Sequence, residues 1–252
     1  MYDDSRIGAY DFQVEPFSDD FKGFISWTNL GEILLRCAQR HADSHGFGFG
    51  VNSPERLSWV FSRLVIQMER RPSTHEHFTV KTWACEVFRQ FTIRLFYIAD
   101  AEGKPIGHAH SVWALIDLDT RQPADLANLP GGSFLDMIVP TPDFPVKGAG
   151  RIRLGKTPVT CTHTVSYSDL DVNGHLNSIR AIDLALDLKP AAFHATHEAA
   201  RIEMAYARES LPGERLTIAW EDIGEEVTDM EFRKADGEVA IKAQITWRDY
   251  RL

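Results

Sequence analysis

The chain has 252 residues, 44% hydrophobic and 25% charged, which suffices for a sizeable core and excludes wholesale disorder. Its formal net charge of −9 argues against nucleic acid as a main partner, because phosphate binding calls for an excess of Lys and Arg. Cys37, Cys85 and Cys161 are too far apart for a metal-ligand pattern and odd in number for a disulfide framework, so a reducing cytosol is expected. The acidic start Met1-Tyr2-Asp3-Asp4 lacks the pattern of a signal peptide, and no apolar run reaches the roughly 18 residues of a membrane span. A cytoplasmic protein without membrane contact is predicted.

Along the chain, a short extended segment over residues 10–17 precedes a helix from about Asn29 to His45. Leu30, Ile33, Leu34, Leu35, Cys37 and Ala38 make that helix apolar around much of its circumference, as expected for a helix enclosed by other structure. Gly46-Phe47-Gly48-Phe49-Gly50 follows a helix instead of joining a strand to one, so it reads as a helix end and turn, not a phosphate loop. Alternating β-branched and aromatic residues predict strands over 79–99 and 108–119, joined through the hairpin signal Ala101-Glu102-Gly103-Lys104.

Six of the twelve prolines then fall between Pro123 and Pro158, beside Gly131-Gly132, which marks a connector. Beyond it the pattern repeats. An extended segment over 160–167 leads into apolar Ile179, Ile182, Leu184, Ala185, Leu186 and Leu188, read as a second helix, and strands are predicted over 216–220 and 239–247. Ala235-Asp236-Gly237-Glu238 matches the first hairpin, and ten residues beyond each hairpin glycine stands a tryptophan, Trp113 or Trp247. The reading is an α+β chain of two halves, each an antiparallel sheet around one long apolar helix. The expected boundaries are residues 1–138, a Pro/Gly-rich linker at 139–157, and residues 158–252.

The stretch Asp171-Val172-Asn173-Gly174-His175-Leu176-Asn177 carries the chemistry. Its Asp-x-Asn-x-His core places an acid, an amide and an imidazole at two-residue steps; an extended backbone would point all three to one side. Asn-Gly is equally a turn signal, and Asn177 or Ser178 can cap the following helix, so spacing alone leaves both readings open.

Together with Leu57-Ser58-Trp59-Val60-Phe61-Ser62-Arg63, Ser111-Val112-Trp113 and Glu203-Met204-Ala205-Tyr206-Ala207-Arg208-Glu209-Ser210, this stretch resembles the acyl-acyl carrier protein (acyl-ACP) thioesterases of plants and bacteria, over nearly the whole chain. The resemblance implies a tandem hotdog fold and hydrolysis of fatty acyl-ACP to free fatty acid and carrier protein. Asp171, Asn173, His175 and Glu209 would be the catalytic set in the second half. The first half would supply the acyl pocket, with Leu30, Ile33 and Leu34 contacting the chain and controlling its length. Acyl-CoA hydrolysis and non-catalytic acyl binding are the alternatives. Ser210 stands where some members carry cysteine, which argues against a Cys-His-Asn arrangement.

Setting Gly23 on Gly174 pairs Asp20, Lys22 and Phe24 with Asp171, Asn173 and His175, so the first half has no chemistry of its own. No cofactor and no metal are expected: His75-Glu76-His77, His108-Ala109-His110 and the pair His194/His197 lack the spacing of ligand sets. The carrier protein is the expected partner, with a homodimer left open. Lys147, Arg151, Arg153 and Lys156 are read as linker charges, with carrier docking as the second choice.

Overall fold

The computed structural model describes residues 4–48, 56–155 and 158–250. Phe49, Gly50, Lys156 and the acidic start through Asp3 lie outside the described residues. The chain forms two compact units, one of residues 1–62 and 68–148, the other of residues 63–67 and 149–252. Both are α+β with antiparallel strands.

In the first unit, β1 (Gly8–Gln13) pairs with β3 (His77–Phe88), β3 with β4 (Phe91–Asp100) and β4 with β5 (Pro105–Asp117). β2 (Leu57–Met68) neighbours β5, and residues 63–67 in its second half belong to the second unit. Between β1 and β2 runs α1 (Trp27–Ser44). Ser26 caps it by accepting the Asn29 amide at 3.1 Å, which satisfies one of the free donors of the first turn. Trp27, Leu30, Leu34, Cys37, Ala38 and His41 recur at helical spacing and are buried, so this stripe faces the sheet. Gly46 adopts φ +78°, and the Phe47 amide returns to the Ala42 carbonyl at 2.9 Å, so Gly46 ends the helix as the sequence suggests.

The second unit repeats this order. β6 (Val159–Thr164) pairs with β8 (Arg215–Ile223), β8 with β9 (Val227–Arg233), β9 with β10 (Val239–Asp249) and β10 with β7 (His197–Tyr206). Residues 63–67 of β2 pair with β7. Matching Gly23 to Gly174 sets β1 on β6 residue for residue. β2, β7 and β9 are strands beyond those the sequence pattern predicts. In β9, Thr228, Asp229, Met230, Glu231 and Phe232 are all buried, so it shows no alternation of polar and apolar residues to read.

The expected second long helix is a correction. The segment between β6 and β7 is divided into α2 (Arg180–Leu186) and α3 (Ala191–Thr196). Lys189-Pro190 is the reason, since the residue before proline is pushed out of helical conformation and Pro190 itself is extended at ψ 156°. His194 then covers the end of α2, its Nε2 lying 3.0 Å from the Leu186 carbonyl. Ala181, Ile182, Leu184 and Ala185 remain buried on α2, whereas α3 has no buried residue.

Candidate active site

Of the two readings that the spacing leaves open, the Asp171 segment takes the turn and is not extended. It is a tight loop between β6 and α2, closed by a bridge from Leu170 to Leu176. The Asp171 amide donates to the His175 carbonyl at 2.8 Å, and the Gly174 amide donates to the Asp171 carbonyl at 3.0 Å. Gly174 has φ +75°, a conformation that glycine adopts without a Cβ penalty. Asp171 Oδ1 accepts the amides of Asn173 and His175 at 2.9 and 3.1 Å. Its carboxylate therefore shapes the backbone that carries His175 and does not hydrogen-bond the imidazole ring. Its other oxygen lies 3.4 Å from Asn173 Nδ2, a weak contact that leaves the exposed amide group available.

Glu209 arrives from the turn after β7. Leu176, next to His175, donates its amide to the Ser210 carbonyl at 2.8 Å, which fastens the loop to that turn. Lys234 donates to the Glu209 carbonyl at 3.0 Å and pairs with Glu214 at 3.0 Å, fixing the other side. These ties bring His175 Nε2 to 3.6 Å from Glu209 Oε2, beyond a direct hydrogen bond but close enough for a shared water or carbonyl oxygen. Both side chains are open to solvent, 27% for His175 and 54% for Glu209, so an incoming group can reach them. Asp171, Asn173, His175 and Glu209 are thus on one loop and the turn bonded to it. Leu30, Ile33 and Leu34 belong to α1 of the first unit, where Leu30 and Leu34 are fully buried and Ile33 is partly so.

Ser210, beside Glu209, is 2% exposed, and its Oγ has no hydrogen-bond partner among the described residues. Asp169 escaped the sequence reading. It is 1% exposed and accepts from Ser166, His163 and Arg180. Burial alone would raise its pKa, but these donors outweigh it and hold the carboxyl at about 2. The Ser166-x-x-Asp169 spacing, which forms a capping box, was the available signal. Asn177 does cap the next helix, accepting the amides of Ile179 and Arg180 at 2.8 and 3.4 Å.

The first unit contains the same loop. Asp20 donates its amide to Phe24 at 2.7 Å, its Oδ1 accepts the amides of Lys22 and Phe24 at 2.9 and 3.3 Å, and Gly23 has φ +76°. Ile25 donates to Pro72 as Leu176 does to Ser210, which sets Arg71 on Glu209. Arg71 is buried, pairs with Asp20 at 2.8 Å and lies over the rings of Phe24 and Trp27. Where the second unit has an imidazole and a carboxylate, the first has a phenyl ring and a guanidinium.

Two of the three histidine groups have members with structural partners. His197 stacks on Phe193 with ring centroids 4.2 Å apart, and His108 meets Phe144 edge-on. Among the described residues no cluster of three or more His, Cys, Asp or Glu side chains could hold a metal ion, and no helix is long and apolar enough to cross a membrane.

Two family models match the chain: the acyl-ACP thioesterase N-terminal domain over residues 9–128 and the acyl-ACP thioesterase C-terminal domain over residues 156–249. The crystal structure of an acyl-ACP thioesterase from Bacteroides thetaiotaomicron is 40% identical, with a TM-score of 0.88 over 96% of this chain and 98% of that one. The 12:0-ACP thioesterase from Umbellularia californica shares the fold, with a TM-score of 0.85 at 18% identity over 99% of this chain and 100% of that one. The chloroplastic oleoyl-acyl carrier protein thioesterase of Coriandrum sativum is 29% identical over 71% of this chain and 53% of its own length. The chain thus spans about half the length of this curated relative, the same holding for an oleoyl-acyl carrier protein thioesterase of Arabidopsis thaliana.

Proposed function

The chain belongs to the acyl-ACP thioesterase family, and from that premise we propose that it hydrolyses fatty acyl-ACP to free fatty acid and carrier protein, in the cytoplasm, as a step of fatty-acid biosynthesis. The two halves are read as tandem hotdog domains, residues 1–138 and 158–252, joined by a linker at 139–157. The first supplies acyl-pocket walls through Leu30, Ile33 and Leu34. The second carries the chemistry on Asp171, Asn173, His175 and Glu209.

The observation that carries this reading is the approach of His175 to Glu209 at 3.6 Å, on a loop whose first-unit counterpart has Phe24 and Arg71 instead. Hydrolysis of a thioester needs a base for water, a donor for the developing oxyanion and a competent leaving group. Glu209 takes a proton from water as its oxygen attacks the thioester carbon. The carbonyl electrons move onto oxygen, where His175 or the Asn173 amide donates a hydrogen bond. Collapse of the tetrahedral intermediate breaks the carbon–sulfur bond, and the proton held by Glu209 goes to the departing sulfur. A thiol with a pKa of about 8.5 leaves without strong acid assistance. Asp171 acts through the backbone, by holding the amides of Asn173 and His175.

The test is release of free acid from matched panels of acyl-ACP and acyl-CoA by wild type, His175→Ala and Glu209→Gln. Acyl-ACP should be cleaved faster than acyl-CoA, and each variant should lose about 10²–10⁴-fold in kcat. Binding of acyl-ACP without turnover would favour an acyl-binding protein, and faster cleavage of acyl-CoA would move the substrate assignment to the coenzyme thioester.

A further inference from the structure

Asp169 ties together three pieces of chain around the His175 loop. Its Oδ2 accepts the Ser166 amide at 2.9 Å, Ser166 Oγ at 3.0 Å and His163 Nε2, from β6, at 2.8 Å. Its Oδ1 accepts Arg180 Nε, from the start of α2, at 3.2 Å, and Arg180 Nη1 also donates to Asp183 at 2.8 Å. The Asp169 carbonyl takes the Asn177 amide at 2.8 Å. The loop bearing Asp171, Asn173 and His175 thus starts and ends on one cluster centred on the buried Asp169 carboxylate, with Arg180 and His163 partly exposed around it.

The first unit shows what the fold needs without it. The residue matching Asp169 is Ser18, whose carbonyl accepts the Ser26 amide at 3.0 Å, so the backbone tie is kept. The residue matching Arg180 is Asn29, which reaches the same position by donating Nδ2 to the Ser18 carbonyl at 2.8 Å. The residue matching His163 is Phe12, stacked on Phe78 with centroids 5.6 Å apart. At this position, then, a neutral amide stands in for Arg180 and a ring stack for His163, and the loop keeps the same internal hydrogen bonds; the first loop's own charged contact is the Arg71–Asp20 pair, at the place of Glu209 and Asp171. Burying a carboxylate against a cation seldom adds net stability over neutral packing, even where, as here, the cation stays partly exposed, and its best-attested use is to select one arrangement of the chain. The charged version occurs in the unit whose loop presents His175 to Glu209.

We propose that Asp169, Arg180 and His163 form a positioning network that holds the His175 loop in its reactive geometry, over and above what the fold requires. The proposal rests on reading the second unit as the thioesterase site. None of the three is a catalytic residue; they act through Asp171 and His175.

The experiment gives the second unit the first unit's own solution, the triple variant His163→Phe, Asp169→Ser, Arg180→Asn. Steady-state kinetics on acyl-ACP should show kcat reduced about 10²-fold, the cost of a misplaced reacting group, with KM within about threefold of wild type. Arg180→Asn alone leaves Asp169 three donors and should lose about tenfold in kcat, while Arg180→Lys should recover part of it. If the triple variant does not fold, this pair carries the test. Equal kcat for Arg180→Asn and wild type, with only the unfolding midpoint lowered, would overturn the proposal. Amide hydrogen exchange at Asn173, Gly174 and His175 needs no substrate: faster exchange in the folded variants is expected, and unchanged exchange overturns the proposal. A wild-type protein that releases no acid would refute the thioesterase reading instead, and the exchange measurement would still decide this one.

Discussion

Replacing Asp171 separates a carboxylate that shapes a loop from one that reacts. Its Oδ1 accepts two amides, at 2.9 and 3.1 Å, in a half-buried position. Each such bond contributes about 1 kcal/mol net, so Asp171→Ala forfeits about 2 kcal/mol of loop order. At tenfold per 1.4 kcal/mol, the ratio of ordered to disordered loop falls about 30-fold, and kcat should fall by up to that factor. Asparagine keeps an acceptor oxygen at the same place, so Asp171→Asn should lose less than about tenfold in kcat. Asp20→Ala is the internal control. It removes the equivalent bonds, at 2.9 and 3.3 Å, and strips buried Arg71 of its partner at 2.8 Å. Breaking that pair should cost about 3–5 kcal/mol of stability while leaving kcat of the folded fraction near wild type. Urea unfolding and single-turnover hydrolysis of acyl-ACP measure the two effects separately. An Asp171→Asn enzyme as impaired as Asp171→Ala would refute the backbone role and assign the charge itself to the reaction.

Ser210→Ala removes a buried hydroxyl with no hydrogen-bond partner among the described residues, so stability should rise by up to about 1 kcal/mol by urea unfolding, with kcat changed no more than a few-fold. A trapped acyl adduct on Ser210 would contradict hydrolysis by water. On α1, Ile33→Phe should shift the fastest-cleaved acyl length with little loss of stability, because Ile33 is only partly buried; Leu30→Ala should cost about 2–5 kcal/mol as well, because Leu30 is fully buried. An unchanged length profile in both would remove α1 from chain selection. Asp169 has its folded pKa lowered from 3.8 to about 2, so the stability it contributes is complete above pH 4 and is lost as pH falls toward 2. Asp169→Asn should therefore be less stable than wild type by about 2 kcal/mol at pH 7 and nearly equal to it at pH 2; a gap that persists at pH 2 would assign the effect to packing.

The sequence by itself determined the duplication, the Gly23–Gly174 alignment and the identity of the polar residues, because these rest on local signals. Asp and Asn before a glycine specify a turn whatever surrounds them, and a capping side chain two or three residues before a helix acts within one turn. The Phe24-for-His175 exchange was readable on the same basis. Local signals also set the limit. The two-residue spacing of Asp171, Asn173 and His175 fits an extended backbone and a turn alike, and hydrogen bonds to Asp171 Oδ1 wind the segment into a loop. Apolar content predicted a long second helix, and the single Pro190 overrode it.

Only the tertiary structure decided the partners. Glu209 comes within 3.6 Å of His175 through the amide of Leu176 bonding the Ser210 carbonyl, a contact between segments more than thirty residues apart. Arg71 takes the corresponding place in the first unit, though no sequence signal pairs it with Asp20. Asp169 reads as an ordinary polar residue until Arg180 and His163 close around it. A side chain's chemistry is written in its own letter, but its burial and its neighbours are set by the strands and helices that pack around it, and those depend on the whole chain.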